Sequence, residues 1–123
     1  MTLRLGELID SMKRCKKDAS VIFDFGGAVP TGIDSWRGVY AELSLQWGGG
    51  RYGDDYPKVS DVLEILSAAV GKTYTGWKGG EYRMDRDTPV WVDNRGCWTK
   101  TAIVGVSDED YIVVLQTERR RSV

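Results

Sequence analysis

The sequence predicts an α+β fold: a single domain in which a mostly antiparallel sheet of about five strands carries two helices packed on one face. Three observations lead there. Two segments, 3–14 and 60–70, repeat their apolar residues at helical spacing. Residues 39–47 alternate apolar and polar residues, as a half-buried strand does. The last third of the chain holds three short β-forming runs, at 89–93, 101–106 and 111–116.

In the first helix Leu5, Leu8, Ile9 and Met12 make one apolar stripe, with Thr2 as the expected N-cap and Glu7 near the positive end of the helix dipole. Lys13, Arg14, Lys16 and Lys17 crowd its other end, where the dipole favours cations. Residues 21–25, Val-Ile-Phe-Asp-Phe, read as a strand stopped by Gly26 and Gly27. Pro30, Thr31 and Gly32 read as a loop. The next strand sets Val39, Ala41, Leu43, Leu45 and Trp47 on one face and ends at three glycines, 48–50.

A polar, glycine-rich loop leads to the second helix, with Ser60 as expected N-cap, Val62, Leu63, Leu66, Ala69 and Val70 as its buried face, and Gly71 as terminator. Residues 71–87 have no clear period. Ser107–Asp110 reads as a four-residue hairpin connection between the last two strands. The whole chain, 1–123, reads as one domain with a frayed basic tail at 118–123.

Composition narrows function by exclusion. The chain has 123 residues, 28% of them charged, with a net charge of −1, a balance that argues against stable DNA binding. It contains no histidine, which removes Ser-His-Asp and Cys-His catalysis and His-ligated zinc. Arg4, Glu7 and Asp10 interrupt the first apolar stretch, and no apolar run reaches membrane-spanning length. The expected setting is therefore cytoplasmic, with no membrane partner. Cys15 and Cys97 make no disulfide framework; the reading is a single bridge or two inert thiols.

Two motifs fail on their spacing. Gly71-Lys72-Thr73 contains the end of a phosphate-binding loop, but Leu66 stands where that motif needs glycine, and the triplet follows a helix instead of opening one. Asp85-Arg86-Asp87 starts like a calcium loop, and Thr88, Pro89 and Val90 end the match. No metal, cofactor or catalytic residue is expected. The carboxylates Glu81, Asp85 and Asp87 with Arg83 leave an alternative, a small hydrolase or transferase.

The aromatic and glycine distribution is what folding explains least. Five Trp and six Tyr occur, many in expected loops and interleaved with Arg or Lys. Aromatic faces beside cations suit stacking on a planar ligand or a protein hot spot. The candidate ligand- or partner-binding residues are Trp36, Arg37, Tyr52, Trp77, Lys78, Tyr82, Arg83, Asp85 and Asp87, carried on segments 26–38, 48–56 and 74–87.

Several stretches also carry a resemblance. Thr2-Leu3 with Glu7-Leu8-Ile9, Val21–Gly26, Pro30-Thr31-Gly32, Ser35–Tyr40, Val70–Tyr82, Asp87–Val92 and Thr101–Val106 together resemble small accessory proteins of tailed bacteriophages, over most of the chain. The resemblance implies a setting, the cytosol of an infected bacterium, and no particular chemistry. Small phage proteins of this kind often bind and block a host factor. The expected function is therefore non-catalytic: countering a host defence by blocking a defence protein, as anti-CRISPR proteins do, or by sequestering a nucleotide second messenger. A role in virion assembly is a further alternative, and homo-oligomerisation is compatible with each.

Overall fold

A computed structural model describes residues 2–36, 39–49, 56–76, 79–94 and 99–121. In chain order the elements are α1 (Leu5–Lys13), β1 (Ser20–Phe23), β2 (Ala28–Trp36), β3 (Val39–Gly49), α2 (Val59–Ala69), β4 (Thr73–Thr75), β5 (Glu81–Arg83), β6 (Val90–Val92), β7 (Thr99–Glu109) and β8 (Ile112–Arg121). The α+β class and the two helices are as expected. The sheet is not. It has six strands in the order β1-β8-β7-β6-β3-β2, and it is mixed: β1–β8 and β3–β6 are parallel pairs. It curls until its end strands β1 and β2 approach each other, so the sheet is nearly closed.

The sixth strand is β2, which crosses the stretch expected to be a loop. Proline cannot donate to a ladder, so Pro30 fits only where a strand has an unpaired side. β2 ends the sheet order, and its pairing with β3 slips by one residue between Pro30 and Gly32. A second slip follows. Ser35 pairs with Leu43 but Trp36 pairs with Val39, so Tyr40, Ala41 and Glu42 bulge from β3. This bulge breaks the expected alternation: Leu43 and Leu45 are buried, whereas Val39 and Ala41 are exposed.

Both helices begin in the same way. The backbone N–H of Arg4 donates to the Glu7 carboxylate and that of Lys58 to the Asp61 carboxylate, each at 2.9 Å. The next N–H groups, which a helix leaves unpaired, find main-chain carbonyls: Leu5 and Gly6 donate to Thr88 and Arg86, and Val59 and Ser60 to Ala19 and Lys17. Thr2 and Ser60 are thus not the caps. Gly71 does follow α2 in the left-handed region, φ +77°, where a side chain is strained.

Thr2 instead bridges strands. Its buried hydroxyl donates to the Val90 carbonyl and accepts from the Ile103 N–H at 2.9 Å, while Leu3 N–H donates to the Ile103 carbonyl. The N-terminal residues therefore seal the gap where β6 and β7 part. β7 and β8 run further than expected: Glu109 pairs with Ile112, leaving Asp110 and Tyr111 as the turn, and β8 continues through Arg121, into the stretch expected to fray. Part of the irregular segment 71–87 forms the small β4–β5 hairpin.

One apolar core joins the elements. Leu5, Leu8, Ile9 and Met12 of α1 and Val59, Val62, Leu66 and Ala69 of α2 meet Val21, Phe23, Leu43, Leu45, Val90, Val92, Ile103, Val113 and Leu115 of the sheet. No helix among the described residues is long and apolar enough to cross a membrane.

Candidate functional site

The strand register decides which residues share the face turned away from this core. Leu43, Leu45, Val90 and Val92 face the helices, so Ser44 and Trp91, their paired neighbours, face the other way. Asp34 is level with Ser44, Ala102 with Trp91, and Trp36 and Lys100 lie two residues further along their strands. Trp36 and Ala102 are buried without belonging to the main core, which marks a second, smaller cluster on the outer face.

At its centre the indoles of Trp36 and Trp91 stack, centroids 5.1 Å apart and planes 30° from parallel. The Lys100 ammonium lies 5.2 Å from the Trp36 ring centroid and 5.5 Å from that of Trp91, a shared cation–π contact. Glu42, delivered by the bulge, accepts from Trp91 Nε1 at 2.6 Å. Trp36 is only 4% exposed, yet its indole N–H has no acceptor. The other described indole, Trp47, donates to the Asp93 carbonyl at 2.7 Å and closes one end of the main core against Phe25.

A second aromatic group adjoins the bulge. Tyr40 packs on Tyr82 of β5 with centroids 6.1 Å apart. Gly76 lies beneath both rings: a Cβ there would stand 2.9 Å from Tyr82 and 3.4 Å from Tyr40, so the approach needs glycine. Tyr74, on the paired strand β4, is buried and its hydroxyl has no partner, while Lys72 lies 4.8 Å from its ring centroid. Burial, and then the charge of Asp34, push the Tyr74 phenol above its ordinary range.

The nine residues singled out from the sequence fare differently. Trp36 is at the centre of the outer cluster, though as a buried, already stacked ring and not a free loop aromatic. Tyr82 is half-buried against Tyr40, and Arg83 is exposed beside it. Asp85 and Asp87 lie in the turn that receives α1. The Asp85 carboxylate accepts from the Asp87 N–H at 2.8 Å, and Asp87 lies 3.8 Å from the Arg4 guanidinium. Arg37, Tyr52, Trp77 and Lys78 fall outside the described residues. Trp91, Lys100, Glu42 and Tyr40 were not singled out. The Val90-Trp91-Val92 triplet held a signal, since two valines facing the core turn the tryptophan outward.

Among the described residues no three His, Cys, Asp or Glu side chains gather as metal ligands. Burial raises the Cys15 thiol pKa, and its S–H donates to the Ser11 carbonyl at 3.4 Å. Cys97 lies outside the described residues. Comparison of the chain with protein families, curated proteins and solved structures found no match.

Proposed function

We propose that this is a non-catalytic binding protein that acts in the bacterial cytosol against a host defence, by occupying the surface of a defence protein. The observation that carries the reading is the Trp36–Trp91–Lys100 cluster, an aromatic and cationic group assembled outside the folding core with a hydrogen-bond donor left over. Tryptophan and cationic side chains gathered on one face of the sheet match the residue types that dominate protein-interface energetics. The phage resemblance supplies the setting.

Two features favour this over its competitors. Sequestering a nucleotide by stacking needs a free aromatic face. Among the described candidates, that of Trp36 is against Trp91 and that of Tyr82 is against Tyr40. A carboxylate enzyme needs acids converging on a substrate, whereas Asp85 is engaged within its own turn and Asp87 leans on Arg4.

The test is expression in a panel of bacterial strains, each carrying a different defence system, followed by phage challenge. The expected result is raised plaque yield in at least one strain, with the purified protein inhibiting the matching defence protein at near-equimolar amounts. Relief in no strain would contradict the reading. So would relief achieved by catalytic turnover of a small nucleotide.

A further inference from the structure

Two neighbouring groups of the outer cluster lack what their chemistry calls for. The Trp36 indole N–H is closed to solvent and has no acceptor, which is unfavourable for a buried donor. The Lys100 ammonium rests over two indoles, and among the described residues it forms no ion pair. One ligand type answers both: an anionic oxygen group, accepting from the indole with one oxygen and facing the ammonium with the other. The cluster already contains an example of this chemistry, because the stacked partner indole, Trp91, donates at 2.6 Å to the carboxylate of Glu42.

We infer that Trp36 and Lys100 form a receptor for a single carboxylate, the aspartate or glutamate side chain of a partner protein. The charge balance selects carboxylate over phosphate. Among the described residues one lysine faces the site, and Glu42 and Asp34 already place negative charge on the same sheet face. A monoanion matches the single charge of Lys100 and meets less repulsion from the two acids than a phosphate group, which carries about 1.5 to 2 negative charges. The position fits a hot spot as well, since a carboxylate held on a desolvated indole N–H beside a cation is shielded from water and salt. Because the indole N–H is covered in the free protein, entry of the carboxylate requires the side chains over it to move aside.

This inference rests on the binding reading above and names the chemistry of its central contact. Its test needs no partner, so its failure is distinguishable from failure of the plaque assay. The indole N–H signals are followed by two-dimensional proton–nitrogen NMR during titration with acetate, with sodium phosphate and sodium chloride as separate arms at matched ionic strength. Trp36→Phe assigns the signal, and the Trp47 and Trp91 indoles report that each variant is folded.

The expected result is a saturable downfield shift of the Trp36 signal with acetate, abolished in Lys100→Gln and retained in Lys100→Arg. An unmoved signal would overturn the assignment, as would a shift that chloride reproduces or one that survives in Lys100→Gln. Saturation by phosphate and not by acetate would also overturn it, in favour of a phosphate-bearing ligand.

Discussion

The two faces of the sheet hold apolar clusters built to different standards. On the inner face the Thr2 hydroxyl bonds to both β6 and β7 and the first N–H groups of each helix meet carbonyls, although the Tyr74 hydroxyl, also in this core, has no partner. On the outer face the Trp36 N–H is buried with no partner, and the Lys100 ammonium rests on two indole rings. A folding core gains nothing from unpaired donors. A face meant to meet another molecule tolerates them, because the partner supplies the acceptor. On the proposed reading, the difference separates what the chain does to fold from what it does to bind.

The largest effect that breaks this comparison belongs to the inner face. Leu66→Ala removes a fully buried side chain from the helix–sheet core and should lower unfolding free energy by about 2–5 kcal/mol in urea titration. Next comes Thr2→Val, which keeps the shape but strands the Ile103 N–H. A loss of about 1–3 kcal/mol is expected by the same measurement. Any smaller loss would mean that the N-terminal segment does not seal the β6–β7 gap.

On the outer face the balance reverses. Trp36→Phe sacrifices some stacking area and removes an unsatisfied donor, so stability should change by less than about 1.5 kcal/mol while partner binding falls. A large loss of stability would place Trp36 with the folding core. Within the main core, Tyr74→Phe should be neutral or slightly stabilising at pH 7, since it deletes a hydroxyl that bonds to nothing. Its pH signature is sharper. The folded-state pKa of Tyr74 is raised above its ordinary value of 10.0, so the native state holds the proton more tightly than the unfolded chain. Stability from this group is complete below pH 10 and is lost as pH rises through the raised value. Alkaline unfolding of Tyr74→Phe should therefore be shallower than that of the wild type.

Local pattern made much of the inner face legible. The stripes Leu5-Leu8-Ile9-Met12 and Val62-Leu66-Ala69 specify both helices, and Gly71 ends the second as its φ requires. What stayed hidden was not local. β2 looked like a loop because Pro30 and Gly32 are loop residues by preference, and only its place at the sheet edge makes them acceptable in a strand. The parallel pairing of β1 with β8 joins the two ends of the chain, and no window of sequence contains both. For the same reason Trp36 was recognisable as a candidate but not as half of a pair. Trp91, Lys100 and Glu42 come from three other strands, and the bulge at 40–42 that delivers Glu42 leaves no mark in the order of apolar and polar residues along the sequence, only in which of them are buried.

The central claim is that the outer cluster serves recognition. Plaque yield with Lys100→Gln, at a soluble level matched to the wild type and in a strain whose defence the wild type relieves, tests it most directly. Losing the shared cation–π contact costs about 0.5–2 kcal/mol of stability, so the fold should survive. The expected yield is that of cells lacking the protein. Relief at the wild-type level by the folded variant would contradict the account.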